Sequence, residues 1–128
     1  TICMFSGDGG FQMSIQELGT IMERQAPVKM IILNNNYLGN VRQWQDLMFN
    51  HRRSFTRMLN PRYEDIARGY NIPYDVATER KDLAAKIDKM LKTDGPFLLE
   101  VAVKEDENIQ PMTPPGKSVD EMMLHLDI

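Results

Sequence analysis

The sequence contains a single cysteine, Cys3, in 128 residues, which excludes an intrachain disulfide and fits a reducing, cytoplasmic setting. It has no long apolar run: the longest, such as Met30–Leu33 and Phe97–Leu99, fall far short of the roughly 20 residues that cross a bilayer. That pattern argues against a membrane partner. It also has no basic surplus. Fifteen basic residues face eighteen acidic ones, a net charge of −3, which argues against a nucleic-acid partner. No internal repeat and no low-complexity tract interrupts it. An initiator Met is missing, and the chain opens inside an apolar run at Ile2–Phe5, so it reads as a fragment of a longer protein. What remains has the composition and length of one ordinary globular domain.

The apolar residues alternate between two patterns. Ile2–Phe5, Val28–Leu33, Ile72–Val76 and Phe97–Val103 are short continuous runs, as expected of buried strands; Val28–Leu33 is interrupted only by Lys29. Between them lie segments of helical period. Ser14-Ile15-Gln16-Glu17 has capping-box spacing ahead of Ile15, Leu18 and Met22. Leu38–Phe49 places Val41, Trp44 and Met48 on one side. Asn60-Pro61 reads as N-cap and N1 of a helix with Tyr63, Ile66, Ala67 and Tyr70 inward. Thr78 reads as the cap of a further helix with Leu83, Ile87 and Leu91 inward. Strands alternating with helices predict an α/β fold, a parallel sheet with helices on both faces. Residues 1–103 form that domain. Residues 104–128, with prolines at 111, 114 and 115, read as an extended tail with a short helix near Val119–Leu124.

Two polar interruptions fall at strand carboxyl ends, where ligands bind in open parallel sheets: Gly7-Asp8-Gly9-Gly10 and Asn34-Asn35-Asn36. A glycine-rich turn lets backbone N–H groups approach an anion closely. Asp8 supplies a carboxylate and Asn35 a neutral carbonyl, with the main-chain carbonyl of Tyr37 two residues on. One carboxylate and two neutral oxygens suit Mg2+, which takes few protein ligands and fills its octahedron with phosphate and water oxygens.

Gly7-Asp8-Gly9, then 24 residues, then Asn34-Asn35, resembles the motif of thiamine-diphosphate enzymes. The resemblance implies that Asp8, Asn35 and the Tyr37 carbonyl hold Mg2+, which grips the diphosphate of thiamine diphosphate. It extends the cofactor pocket over Gly7, Asp8, Gly9, Gly10, Asn35, Tyr37, Gly39 and Asn40. GDGGFQMSIQELGT, PVKMIILNN, LGNVRQWQDLMF and the Gly95–Val101 segment are similar to acetolactate synthase large subunits in particular. That family decarboxylates pyruvate and condenses the hydroxyethyl unit with a second 2-oxo acid, pyruvate or 2-oxobutyrate, in branched-chain amino-acid biosynthesis. The resemblance places Val41, Trp44 and Pro115 along the substrate channel, with Trp44 favouring the bulkier second oxo acid. It assigns no catalytic residue to this chain, because the activating glutamate sits in an N-terminal domain of a second catalytic subunit. FAD belongs to a middle domain outside these residues, and a regulatory small subunit is a possible partner of the parent. Many members carry Met where this chain has Asn40, a departure that bears on contacts beside the pocket.

Plainer readings stand beside these. Asp8 between glycines is a common turn former, and Asn34 and Asn36 read as loop formers. Glu17 reads as a helix cap. His51, Arg52, Arg53 and Arg57 read as a solvated loop or subunit contact. Cys3, Met13, Met22 and Met30 read as buried packing. Two alternative functions are another thiamine-diphosphate 2-oxo-acid decarboxylase, carboligase or oxidase, and a non-catalytic phosphate-binding or assembly module.

Overall fold

The computed structural model describes residues 1–125. Five helices and four strands alternate: β1 (Ile2–Gly7), α1 (Asp8–Gln12), α2 (Leu18–Arg24), β2 (Val28–Asn34), α3 (Gly39–Met48), α4 (Tyr63–Gly69), β3 (Tyr74–Ala77), α5 (Arg80–Lys92) and β4 (Phe97–Ala102). Single 3-10 turns occupy Ile15–Glu17 and Val119–Glu121. The strands form one sheet in the order β1-β2-β4-β3, and every pairing is parallel. Ile2 pairs with Val28 and Gly7 with Leu33, so β1 and β2 end level with each other.

Alternate residues of β2 and β4 point to opposite faces, and each face has its own core. Met30, Ile32 and Leu98 pack with Phe11, Leu18, Tyr63, Ala67 and Ile72. Phe11 meets Tyr63 edge-on, with ring centroids 5.6 Å apart. On the other face Ile31, Phe97 and Leu99 pack against Met90, with Ile87 and Val101 alongside. The sheet is therefore covered by helices on both faces, as the alternating pattern predicts. Among the described residues no helix is long and apolar enough to cross a membrane.

Several local expectations are corrected. The helix after β1 starts at Asp8, directly after the strand, so Ser14 follows it instead of capping it. The Ser14 hydroxyl donates back to the Gly10 carbonyl at 3.4 Å, and neither Ser14 nor Glu17 makes a side-chain cap. Arg62, not Asn60, is the N-cap of α4, because the Asn60 side chain is engaged elsewhere. Glu79, not Thr78, precedes α5. Along α5, Ile87 packs on the core as expected, but the last inward position is the buried Met90 and not Leu91, which is 47% exposed. Pro73 has no N–H to give the ladder, and β3 begins one residue later, at Tyr74. The expected helix near Val119–Leu124 is the single 3-10 turn.

Cys3 is exposed, and Met13 is 76% exposed; of the three methionines read as packing, Met30 is buried and Met22 half-buried. The reason for Cys3 is topological: β1 is an edge strand, and α5 packs over β3 and β4. Lys29, which interrupts the apolar run of β2, is itself buried. Its ammonium donates to the carbonyls of Thr93 at 2.5 Å and Gly95 at 2.7 Å. It thereby ties the turn between α5 and β4 to the amino end of β2. Asp75 on β3 accepts from Lys86 at 3.0 Å and Lys89 at 2.7 Å on α5.

Two outcomes follow from these polar ties. Lys29→Met keeps the apolar stem but leaves two carbonyls without a charged donor, so it should lower stability by about 2 kcal/mol in urea unfolding. Burial alone would raise the Asp75 carboxyl, but Lys89 and Lys86 outweigh it and hold the carboxyl at about 2, below the ordinary 3.8. A depressed folded-state value stabilises above the unfolded value, and the contribution is lost as pH falls from about 4 through about 2. Asp75→Asn should flatten that part of a stability-against-pH curve; an unchanged acid slope would contradict the assignment.

Candidate active site

The level ends of β1 and β2 bring Gly7-Asp8-Gly9 beside Asn34-Asn35-Asn36. A cleft of about 410 Å3 opens there, lined by Gly7, Asp8, Gly9, Gly10, Asn35, Tyr37, Gly39 and Asn40. These are all eight residues read from sequence as the cofactor pocket. Val41 lines it as well. Trp44 is half-buried and Pro115 exposed, and both lie outside this lining. The sequence reading missed Leu33, Leu38 and Val103, Gln43 on α3, and two tail residues, Glu107 and Ile109, all of which line the cleft.

Asp8 is 1% exposed. Its Oδ2 accepts a 2.6 Å hydrogen bond from the Asn60 amide. Its Oδ1 has no hydrogen-bond partner among the described residues, yet it is not sealed from solvent. The one sealed, unpartnered side-chain polar atom among them is Arg42 Nε. Asn34 is committed to the protein: its amide donates to Glu100 at 2.7 Å, and its carbonyl accepts from the Asn36 N–H at 3.1 Å. Asn36 adopts a left-handed backbone, φ 56°, which Asn tolerates better than most residues. Asn35 accepts from the Tyr37 N–H at 3.1 Å through a carbonyl that keeps a second lone pair. Among the described residues the Tyr37 carbonyl accepts no hydrogen bond. Its ring lies under the Arg42 guanidinium, 5.2 Å from the centroid.

Glycine at these positions has a steric cause. A Cβ at Gly9 would come within 2.7 Å of Leu38 and 3.0 Å of Met58, and one at Gly39 within 3.0 Å of the Asn35 amide. At Gly7 a Cβ would meet nothing within 4 Å, leaving open space beside the backbone.

Helix α3 turns a polar face inward. Arg42, Gln43 and Asp46 are buried, whereas Val41 and Met48 are about half exposed at 47% and 52%. Arg42 donates to the carbonyls of Glu105 and Glu107 and to the Asn108 side chain. Gln43 both donates to the Ile109 carbonyl at 3.0 Å and accepts from its N–H at 2.7 Å. The start of the tail is thus strapped along α3 beside the cleft. In the basic loop, Arg53 forks onto Asp46 at 2.7 and 2.8 Å, and His51 lies 3.3 Å from the same carboxylate. The Arg53 hydrogen bond holds the Asp46 carboxyl below its ordinary value against the opposing effect of burial. Part of that loop is therefore structural.

The chemistry of the donor set is narrow. Among the described residues no three His, Cys, Asp or Glu side chains form a metal cluster. The carboxylate of Asp8, the amide carbonyl of Asn35 and the main-chain carbonyl of Tyr37 are all oxygen donors, the class that would suit a hard cation bringing further oxygens with its ligand.

Comparison with known proteins decides the family. Residues 1–101 match the model of the thiamine pyrophosphate enzyme, C-terminal TPP binding domain. The chain belongs to that family. It is 44% identical, over 124 residues, to the acetolactate synthase isozyme 2 large subunit of Escherichia coli (strain K12), covering 96% of this chain and 23% of that one. Over 135 residues it is 40% identical to acetolactate synthase 1, chloroplastic, of Oryza sativa subsp. japonica, covering 99% of this chain and 21% of that one. It thus spans about a fifth of the relatives it matches. The thiamine diphosphate-dependent 4-hydroxybenzoylformate decarboxylase of Rhodococcus jostii RHA1 superposes with a TM-score of 0.77 over 84% of this chain and 20% of that one. At 24% identity that match bears on the fold alone.

The Gly39 contact yields a test that separates fold from site. Gly39→Ala, at the first residue of α3, adds little helix preference but pushes on the Asn35 amide. The thermal midpoint should change little while affinity for thiamine diphosphate falls.

Proposed function

We propose that this chain is the cofactor-binding part of an acetolactate synthase large subunit, in which Asp8, Asn35 and the Tyr37 carbonyl hold the Mg2+ that anchors thiamine diphosphate. What carries the reading is the cleft: the eight pocket residues converge on one cavity, in a chain 44% identical to such a subunit over 96% of its length. The residues present suit the group. Asp8 offers its unpartnered Oδ1, Asn35 a spare lone pair and Tyr37 an unengaged carbonyl. The open backbone at Gly7 and the glycines at 9 and 10 let N–H groups face the phosphate oxygens.

When bound, the cofactor supplies the carbanion chemistry that decarboxylates a 2-oxo acid. The chain's own part is to bind and orient. Asp8, Asn35 and Tyr37 fix the charged end, and Leu38, Gly39, Asn40 and Val41 shape the wall at the start of α3. The buried Tyr63 hydroxyl lies 3.4 Å from the Asp8 carbonyl. Burial, reinforced by the Asp8 carboxylate, pushes it up to about 12, so it remains a neutral donor at physiological pH. Residues 1–103 act as the cofactor unit. The tail, 104–128, lines the cleft with Glu107 and Ile109; its last three residues, 126–128, lie outside those described. Trp44 and Pro115 belong to a channel completed by the rest of the parent, along with Val41, which already lines the cleft.

In this reading the parent acts in branched-chain amino-acid biosynthesis in the cytoplasm, on pyruvate and a second 2-oxo acid. The activating glutamate comes from a second catalytic subunit. FAD and any regulatory small subunit engage parts of the assembly beyond this chain, and the 128 residues alone are inactive.

Product analysis of the full-length parent tests the activity. Pyruvate should yield 2-acetolactate, and added 2-oxobutyrate should yield 2-aceto-2-hydroxybutyrate; aldehyde alone would favour the decarboxylase alternative. In the same protein, Asn35→Ala should weaken magnesium-dependent thiamine-diphosphate binding by more than about tenfold in calorimetry.

A further inference from the structure

Asn60 lies 26 residues beyond Asn34, in the segment that leads to α4, and its side chain sits at the centre of the site's polar network. Its amide nitrogen donates to Asp8 Oδ2 at 2.6 Å and also lies 2.9 Å from Asn34 Oδ1 and 3.1 Å from Asn36 Oδ1. Its carbonyl accepts from Gln12 Nε2 at 2.7 Å and from the Tyr63 hydroxyl at 3.2 Å. The orientation of the amide is fixed by this surrounding. Reversing it would set the amide oxygen against a carboxylate and two amide carbonyls, and the nitrogen against the Gln12 amide nitrogen. The contact to Asp8 is the shortest of the five and the only one to a carboxylate, the stronger class of hydrogen bond.

The consequence concerns the two Asp8 oxygens, and it rests on the metal reading above. Oδ2 is capped by the Asn60 amide, while Oδ1 has no partner among the described residues and keeps contact with solvent. We propose that Asn60 is a positioning residue that withholds Asp8 Oδ2, so that Asp8 meets the divalent cation through Oδ1 alone. A single-oxygen carboxylate suits the small octahedral Mg2+. Ca2+ accepts both oxygens of a carboxylate and more ligands in all. Asn60 thereby biases the site toward Mg2+. The same amide joins the β1 end, the β2 end and the approach to α4, so it also fixes where Asp8 stands relative to Asn35.

The test uses the full-length parent and thiamine diphosphate, with affinity read by calorimetry in Mg2+ and separately in Ca2+. Asn60→Ala should lower the Mg2+-supported affinity by about 10-fold to 100-fold, the usual effect of losing a partner of a metal ligand, and lower the Ca2+-supported affinity much less. The ratio of the two is the reading that a merely structural role would not move. Tyr63→Phe removes the hydroxyl behind Asn60 but keeps the amide on Asp8; it should lower the cofactor-free thermal midpoint and leave the ratio unchanged. Asn60→His, which keeps a side-chain N–H donor, should restore most of the ratio. If Asn60→Ala does not fold, Asn60→Ser, whose hydroxyl is too short to reach Asp8, takes its place. Equal losses in both metals, or no loss in either, would overturn the proposal. Asp8→Ala separates the two levels. If it abolishes metal-dependent binding while Asn60→Ala is silent, only the role of Asn60 fails. If Asp8→Ala is itself silent, the metal site reading fails.

Discussion

Parallel pairing of β1 with β2 in the register Ile2–Val28 to Gly7–Leu33 sets the position of everything else that matters in this domain. Because the register leaves the two strands level, the chain leaves the sheet twice at the same height, once at Asp8 and once at Asn35. A shift by one residue would move Met30 and Ile32 from one core to the other and part the two polar turns. The adjoining pairing of β2 with β4 is tied at both ends. At the amino end Lys29 binds the turn before β4, and at the carboxyl end Asn34 bonds Glu100 on β4 and lies within reach of Asn60. Between them lie apolar residues of both cores.

Above the sheet, the site is built largely from side chains that satisfy irregular backbone. The tail after β4 has carbonyls that no ladder or helix serves, and a buried carbonyl without a donor is costly. Arg42 and Gln43 supply donors, which explains why the inward face of α3 is polar and its partly exposed face carries Val41, Trp44 and Met48. The same arrangement brings Glu107 and Ile109 to the cleft wall. Asp46 completes this polar face by binding Arg53 and His51 of the following loop.

Much of the architecture was legible because it depends on local pattern. Short apolar runs marked four strands, and 3.6-residue spacing marked the helices between them. Glycine and asparagine clusters marked the strand ends where a ligand can sit. The errors share a cause. Ser14, Thr78 and Asn60 each have the chemistry of a helix cap, but a cap exists only if the helix begins at that residue, and each of these helices begins elsewhere. Cys3 and Met13 are apolar and looked buried, yet their exposure depends on which strand lies at the sheet edge and which helix covers it.

Sequence by itself determined the fold class, since alternating apolar runs and helical spacing follow from local pattern, and it carried the family resemblance whose eight expected pocket residues line one cleft. Tertiary structure alone decided the strand order β1-β2-β4-β3, the exposure of the edge strand and the clamp of the tail on α3. It alone brought Asn60 to Asp8, a contact across 52 positions. No local pattern encodes that contact, because an amide is directed by whichever donors and acceptors the folded chain places around it.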